Sequence, residues 1–334
     1  MIKFSIILPV KNGGDYVKEC VRSILNQSYP YFDLHILENC SSDGTTEWLK
    51  GLSDDRVKLI ETPVPLTIEQ NWSRITQIQK NEFITLIGHD DILFPDYLQV
   101  MNDLINRHPG GGLYQSHFHF IDANGQKIRN CLKMDDYYSS ENFLNAILCG
   151  KIDIMGTGFM MKSEYYDSIG GIPDYPNLLF ADFEMVIELA KKGGFYVSSD
   201  SMFAFRLHQS TTKSSSDSKI QSGFERFLSY LIKLKKEDGT YDDTIKECSG
   251  EFIHNYCKGL SHRLLRTSYK QRNGLSVKDF IRKCALLAKQ LTNANTFDPL
   301  KDKSIRLALF IDSNPITRFL FLTFKRFYPK PILK

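Results

Sequence analysis

The stretch from Phe83 to Leu93 constrains the fold of this chain more than any other part of its sequence. It opens with the apolar and β-branched run Phe-Ile-Thr-Leu-Ile, a pattern that predicts a buried β-strand. The strand pattern ends at Gly-His-Asp-Asp, residues 88–91, and a helical pattern follows over about residues 95–106. Open α/β sheets bind their ligands beyond the carboxyl ends of the strands, which is where Asp90 and Asp91 would lie.

Asp90 and Asp91 have two interpretations. Mg²⁺ prefers oxygen ligands and is usually held by one or two carboxylates together with substrate phosphates. We therefore hypothesise that the pair holds a divalent metal that binds a nucleotide diphosphate. The alternative is that the pair opens the following helix, with one side chain as N-cap and the other stabilised by the helix dipole.

Strand and helix patterns alternate through the first part of the chain. Strands are predicted at 4–10, 34–37, 57–60, 83–87, 113–121, 155–161 and 195–207, with helical patterns between most of them. This alternation predicts an α/β fold with a mostly parallel central sheet flanked by helices. No Gly-x-Gly-x-x-Gly follows the first strand and no Gly-x-x-x-x-Gly-Lys-Ser/Thr occurs, so the sequence argues against a dinucleotide-binding or P-loop fold.

A polar run at residues 214–218 predicts a boundary between two regions, 1–213 and 214–334. Helices are predicted beyond it at about 219–236, 242–270, 276–292 and 303–326, and Pro315 should break or kink the last one. That helix interleaves phenylalanines with basic residues, so it either lies at a membrane interface or packs on the main domain. The sequence leaves open whether the helical C-terminal region serves acceptor contact, assembly of a homo-oligomer or peripheral membrane contact.

Composition limits the compartment and the partners. The formal net charge of +3 is too small to indicate a nucleic-acid partner. Seven cysteines without a Cys-x-x-Cys pair argue against a disulfide framework or a zinc site and favour a reducing compartment. No apolar run approaches the roughly 20 residues of a membrane helix, and the short apolar start predicts a strand rather than a signal peptide. We therefore expect a cytoplasmic protein, with contact at the inner face of the plasma membrane left open.

Five segments, taken in order, resemble the family 2 glycosyltransferases of the GT-A fold. Together they cover about residues 1–213, and the helical remainder carries no motif of that family. The resemblance implies the Rossmann-like GT-A sheet with a C-terminal α-helical extension. The segments are Ser5–Asn12, Glu38–Thr45, Gly88–Asp91, Ala181–Asp182 and Arg206–His208.

The resemblance implies a metal-dependent, hexosyltransferase-type enzyme. Such an enzyme moves a sugar, with inversion, from a nucleotide-diphosphate sugar to an acceptor hydroxyl, and a UDP-sugar is the first candidate donor. The implied cofactor is Mn²⁺ or Mg²⁺. The implied acceptor is a glycan or a lipid-linked molecule, in the synthesis of a bacterial surface polysaccharide or lipid-linked glycan.

Site residues are carried over from the resemblance position by position. Asp182 takes the position of the catalytic base, which activates the acceptor hydroxyl. Asp43 faces the base of the nucleotide, and His89 is a spacer inside the nucleotide-binding turn. The implied nucleotide-binding residues are Pro9, Val10, Asn12, Glu38, Asp43, His89 and Asp90, and the implied metal ligands are Asp90, Asp91 and His208.

Two departures from the family pattern leave an alternative open. Glu38-Asn39 stands where the family usually has Asp-Asp, and Gly88 stands where it has the first Asp of Asp-x-Asp. The second departure allows a non-catalytic nucleotide-sugar or glycan-binding protein with a decayed metal motif. Asp182 also has a structural alternative as a helix N-cap, and Asp43 has one as a turn-forming residue.

Overall fold

The computed structural model describes residues 1–207, 215–292 and 297–327. These residues form two compact units. The first contains Met1–Phe143 and the described residues from Ile152 to Leu207, and the second contains Leu144–Lys151 and the described residues from Ser215 onward. The predicted boundary between 213 and 214 falls outside the described residues and stays a prediction. The grouping of Leu144–Lys151 with the helical unit was not predicted, because nothing local in that segment indicates its partner.

A mixed sheet of ten strands, counted over the described residues, forms the centre of the first unit. Its main path runs β3-β2-β1-β4-β9-β6-β10-β5, with β7 paired to β6 and β8 paired to β10. The strands are β1 (Phe4–Val10), β2 (Phe32–Glu38), β3 (Val57–Ile60), β4 (Phe83–Leu86), β5 (Ile92–Leu93), β6 (Leu113–Ile121), β7 (Lys127–Asn130), β8 (Tyr137–Tyr138), β9 (Met160–Lys162) and β10 (Phe195–Arg206).

Helices surround this sheet and make up most of the second unit. The predicted α/β class with a helical C-terminal region is therefore confirmed over the described residues. The α-helices are α1 (Gly14–Leu25), α2 (Thr45–Lys50), α3 (Ile68–Ser73), α4 (Tyr97–Arg107), α5 (Ser140–Leu148), α6 (Ser163–Ser168), α7 (Ala181–Ala190), α8 (Asp217–Glu237), α9 (Asp242–Arg266), α10 (Val277–Leu291), α11 (Lys303–Ser313) and α12 (Pro315–Phe327).

The parallel part of the sheet positions the candidate site. All residues of β1 and β2 are buried, as expected for parallel strands covered on both faces. β1 pairs in parallel with β2 on one side and β4 on the other. The carboxyl ends of these three strands therefore meet at one edge of the sheet, and the residues that follow them lie close together. The sheet is less parallel than predicted, because β9 runs antiparallel to both β4 and β6.

Two local predictions are corrected. Helix α4 begins at Tyr97, and β5 separates it from Asp90 and Asp91, so the interpretation of the pair as a helix opening is wrong. Residues 155–159 are not a strand, because β9 starts only at Met160. Gly158 has a φ of +80°, which turns the chain while its N–H still donates to Leu86 O at 2.9 Å.

The second unit contains the predicted C-terminal helices. The predicted break at Pro315 is confirmed, since α11 and α12 meet there at an angle of 114°. Cys149 and Cys248 form a disulfide with Cα atoms 5.3 Å apart. It corrects the expectation from cysteine count and spacing, which argued against disulfides, and local spacing could not reveal it because 99 residues separate the pair. Among the described helices, none alone has the length and apolarity to cross a membrane, although the bent α11–α12 pair meets both criteria jointly.

Candidate active site

The turn after β1 and the loop after β2 hold each other by hydrogen bonds. The Asn12 N–H donates to Ser41 Oγ at 2.8 Å, and Asn12 Oδ1 accepts the Ser42 N–H at 2.8 Å. The Gly14 N–H donates to Asp43 Oδ2 at 2.9 Å. Slight burial would raise the pKa of Asp43, but hydrogen bonds from Thr45 and Gly14 lower it below the usual aspartate value. Asn12 and Asp43 thus shape one edge of the candidate site.

The Glu38 carboxylate holds the loop after β2 together by accepting hydrogen bonds from residues of that loop. Its side chain is buried, and its carboxylate accepts the N–H groups of Cys40 at 3.0 Å and Ser41 at 2.7 Å and the Thr46 hydroxyl at 2.9 Å. Burial would raise the pKa of Glu38, and these hydrogen bonds outweigh it, so the pKa lies below the usual value. Contact of Glu38 with a nucleoside stays a prediction, and the visible role of the carboxylate is to fix the loop.

Pro9, Val10 and His89, which the resemblance assigns to the nucleotide, lie at the ends of β1 and β4. Pro9 and Val10 are the last residues of β1, both buried, and Val10 O accepts the Asn39 N–H at 3.0 Å. His89 follows β4, and a Cβ added to Gly13 would lie 3.4 Å from His89 Cδ2. The turn after β4 therefore contacts the turn after β1. The nucleotide contacts of these three residues stay predictions.

Asp91 is a buried carboxylate with partners on two other elements. The Thr157 hydroxyl donates to Asp91 Oδ2 at 2.8 Å, and the Arg206 N–H donates to Asp91 Oδ1 at 3.1 Å. Burial and the neighbouring charge of Asp90 raise the pKa of Asp91 well above the usual aspartate value. Asp91 therefore links the turn after β4 to the loop before β9 and to the end of β10.

Arg206 holds the backbone of the turn after β4, which carries Asp90 and Asp91. Its buried guanidinium donates from Nε to Asp90 O at 2.8 Å and from Nη2 to Glu19 Oε2 at 2.6 Å. It also donates from Nη1 to the carbonyls of Asp122 and Ala123 at 3.2 and 3.3 Å. Sequence analysis assigned Arg206 no role beyond its place in a family segment. The available signal was a cation at the end of a core strand, which requires buried partners.

The absence of a side chain at Gly88 leaves room for the carboxylates of Asp90 and Asp91. A Cβ added to Gly88 would lie 2.7 Å from Asp90 Oδ1 and 2.9 Å from Asp91 Oδ2. Real Cβ atoms essentially never approach other atoms so closely. Glycine at this position thus lets both carboxylates pack against the backbone of the turn.

Asp182 lies in the first turn of α7, one residue past its start, and not at the N-cap position. Burial raises the pKa of its carboxyl to about 6, and the hydrogen bond from the Phe183 N–H at 3.1 Å lowers it only in part. Asn177, Leu178 and Phe180 all have φ between +53° and +71°, an uncommon conformation for residues other than glycine. Such strained segments cluster at functional sites.

A two-residue segment joins Asp182 to the Asp90–Asp91 turn. Thr157 donates its hydroxyl to Asp91, as described above. The preceding residue, Gly156, lies against the candidate base, since a Cβ added there would be 3.6 Å from Asp182 Cβ and 3.8 Å from Asp182 Oδ2. The structure thus brings together predicted residues that lie about 90 positions apart in the sequence. The role of Gly156 and Thr157 was missed because the segment was predicted to be a strand.

The turn that carries Asp90 and Asp91 offers a divalent cation few protein ligands. Among residues 1–207, 215–292 and 297–327, no group of three or more His, Cys, Asp or Glu side chains could hold a metal ion. His208, a predicted ligand, lies outside the described residues, and both Asp91 oxygens accept hydrogen bonds from protein groups. Asp90, partly exposed, fits a cation that takes its other ligands from substrate phosphates and water.

Comparison with solved structures places the fold. S. aureus TarS 1-349, in complex with UDP-GlcNAc, superposes with a TM-score of 0.65 at 14% identity, covering 86% of this chain and 82% of that chain. A longer S. aureus TarS structure superposes with a TM-score of 0.60, also at 14% identity, covering 93% of this chain and 55% of that chain. At this identity the likeness concerns the fold alone, and it confirms the predicted GT-A architecture with its helical extension.

Comparison with protein sequences identifies the family. The uncharacterized glycosyltransferase RP339 of Rickettsia prowazekii (strain Madrid E) is 22% identical over 237 residues, 70% of this chain and 73% of that protein. TuaG of Bacillus subtilis (strain 168), provisionally described as a teichuronic acid biosynthesis glycosyltransferase, is 36% identical over 58 residues, 17% of this chain and 23% of its own length. A model of glycosyl transferase family 2 matches residues 5–170, which include the turns that carry Asn12, Asp43 and Asp90. The chain belongs to glycosyl transferase family 2.

Proposed function

We propose that this chain is an inverting glycosyltransferase that moves a sugar from a UDP-sugar to a hydroxyl of a glycan or lipid-linked acceptor. Family membership supports the transfer of a sugar. The similarity to TarS, which was solved with UDP-GlcNAc, supports a UDP-sugar as donor. The short match to TuaG supports a role in the synthesis of a surface polysaccharide.

The link between Asp182 and the Asp90–Asp91 turn is the observation that carries this proposal. A transferase that inverts the configuration of the anomeric carbon needs the donor diphosphate on one side of that carbon and a general base on the other. Thr157 donates a hydrogen bond to Asp91, and Gly156 lies so near Asp182 that an added Cβ would be 3.6 Å from Asp182 Cβ. The active site is accordingly the space between the turn after β4 and the start of α7.

Asp182 is the general base in this proposal. Its carboxyl accepts the proton of the acceptor hydroxyl as the hydroxyl oxygen attacks the anomeric carbon. A pKa of about 6 makes it a stronger base than an ordinary aspartate and still leaves it ionised at neutral pH. The Phe183 N–H of α7, which donates to Asp182 Oδ1 at 3.1 Å, holds the carboxylate in place.

The donor nucleotide lies at the carboxyl ends of the parallel strands β1, β2 and β4. Asn12 and Asp43 shape the edge that receives the nucleoside, and Glu38 keeps that loop in its conformation. Asp90 would hold the divalent cation, with Asp91 and Arg206 fixing the turn behind it. Mn²⁺ or Mg²⁺ bound there would supply Lewis-acid stabilisation for the charge that develops on the departing diphosphate.

A thermal-shift panel tests the donor half of the proposal. UDP, GDP and dTDP are each added with and without Mn²⁺, because a ligand that binds only the folded state raises its melting temperature. We expect UDP with Mn²⁺ to give the largest rise. Release of UDP from a set of UDP-sugars then names the sugar. If no nucleotide raises the melting temperature under either condition, the non-catalytic alternative replaces this proposal.

A further inference from the structure

The last described helix of the second unit turns its apolar face outward. Ile316, Phe319, Leu320, Phe324 and Phe327 of α12 are between 54% and 76% exposed. Their spacing of three, four, eight and eleven residues from Ile316 places them on one helix face. A surface helix of a globular protein shows the opposite arrangement, with its apolar stripe toward the core.

Buried polar contacts fix this orientation. Arg318 of α12 is only 6% exposed, lies over the Tyr269 ring at 4.0 Å and donates to Thr267 O. Its neighbour Asp312 forms an ion pair with the buried guanidinium of Arg272 at 2.7 Å. Because Arg318 is anchored inside the unit, the opposite side of α12, which carries the exposed apolar side chains, faces outward.

Helix α11 extends the same kind of surface. Leu307 and Phe310 are 53% and 62% exposed, and Leu300 just before α11 is 43% exposed. Eight of the seventeen large apolar side chains exposed in the described residues therefore lie between 300 and 327. We call the exposed apolar side chains of α11 and α12 the apolar face. Its concentration in one short segment distinguishes it from the scattered apolar residues of an ordinary surface.

The charges beside the apolar face are almost all positive. Lys303 and Arg306 of α11 and Arg326 of α12 are exposed, and Lys325 is half-buried. Helix α12 contains no acidic residue, and the single acid of α11 is Asp312, which is already paired. A second copy of the chain would bring the same cations opposite one another, whereas an anionic lipid surface complements them.

We propose that the apolar face binds the surface of an anionic bilayer, with α11 and α12 lying in the plane of the interface. Interfacial helices bury an apolar face at the boundary between headgroups and acyl chains and place basic residues among anionic headgroups. This inference goes beyond the proposed function, since it concerns where the enzyme is held and not the transfer itself. It depends on no donor or metal ligand.

Vesicle co-sedimentation of the full chain tests it. We expect binding to vesicles of phosphatidylcholine mixed with phosphatidylglycerol, weaker binding to phosphatidylcholine alone, and loss of binding as salt is added. The variant R306A/R326A, which removes two exposed cations, should bind the mixed vesicles about 30-fold more weakly, because each cation near an anionic surface contributes about fivefold. The matched control K278A/R282A removes two exposed cations from α10 and should bind as the wild type does.

The apolar contribution is tested in parallel. F319S/L320S should abolish sedimentation with mixed vesicles, whereas Leu286→Ser, which removes a 54% exposed leucine from α10, should leave it unchanged. All these variants alter exposed or half-buried side chains, so equal melting temperatures are expected and are measured first. The inference is overturned if the wild type fails to bind mixed vesicles, or if it instead forms a dimer in solution that F319S/L320S dissociates.

Discussion

A Cβ atom added to Gly88 would lie 2.7 Å from Oδ1 of Asp90. The space that a side chain at position 88 would fill is thus occupied by the carboxylate that we assign to the metal. The departure from the family's Asp-x-Asp pattern is therefore coupled to the placement of Asp90.

Replacing Gly88 tests this coupling. Gly88→Ala should displace the Asp90 carboxylate and weaken Mn²⁺-dependent UDP binding about 10- to 100-fold, the range typical of groups that position a metal ligand. Titration calorimetry with UDP, at saturating and at zero Mn²⁺, measures it. Gly110→Ala is the matched control, since an added Cβ there meets nothing within 4 Å. Tighter metal-dependent binding by Gly88→Asp would instead support the decayed-motif alternative.

Thr157 should stabilise the fold through its hydroxyl. Thr157→Val keeps the shape of the side chain but leaves the buried Asp91 carboxylate without one donor, which should cost about 1–3 kcal/mol of unfolding free energy. Thr157→Ser retains the hydroxyl and should cost less. Urea denaturation of the three proteins measures the difference. Equal stability of the valine and serine variants would show that the hydrogen bond to Asp91 contributes nothing.

Arg206 should be more important for stability than its ion-pair partner. Arg206→Met removes the buried guanidinium and its hydrogen bonds to the Asp90, Asp122 and Ala123 carbonyls and should lower the unfolding free energy by about 3 kcal/mol. Glu19 is half exposed, so Glu19→Gln should cost less than about 1 kcal/mol. Urea denaturation compares the two. A larger loss for Glu19→Gln would mean that the ion pair, and not the carbonyl contacts, anchors the turn.

The strand periodicity predicted much of the sheet, and long-range contacts account for what it missed. β1, β3 and β6 begin and end where apolar alternation and turn residues predicted. Residues 155–159 were predicted as a strand because nothing in the local sequence reveals their hydrogen bonds to Asp91 and Leu86. Those hydrogen bonds turn the chain. The inward-turned Glu38 carboxylate and the Cys149–Cys248 disulfide were missed for related reasons, since both depend on how the folded chain arranges its loops.

In the candidate site, too, the sequence predicted individual residues but not the contacts between them. Motif positions indicated Asp43, Asp90 and Asp182 one by one, but the connection through Gly156 and Thr157 required the fold. Arg206 was visible as a motif residue without a role, because its partners come from α1, the Asp90 turn and the turn after β6.

The raised pKa of Asp182 predicts two pH effects of known sign. Because its folded pKa of about 6 exceeds the ordinary 3.8, the folded state binds the proton more tightly, and stability falls as pH rises from about 4 to about 6. Asp182→Asn should therefore raise the melting temperature relative to the wild type at about pH 8 but not near pH 4. The wild-type kcat/KM should fall below about pH 6, as the base becomes protonated. A flat profile across that range would contradict the assignment.

Comparing transfer and binding in the Asp182→Asn variant tests the assignment of the general base. The matched control is Glu188→Gln on the same helix, whose carboxylate pairs with Lys191 at 3.0 Å. With a donor that the wild type uses, we expect Asp182→Asn to lose at least about 100-fold in kcat and to bind UDP and Mn²⁺ as tightly as the wild type. The control should retain both properties. Transfer by Asp182→Asn at the wild-type rate would contradict the central claim that Asp182 is the base.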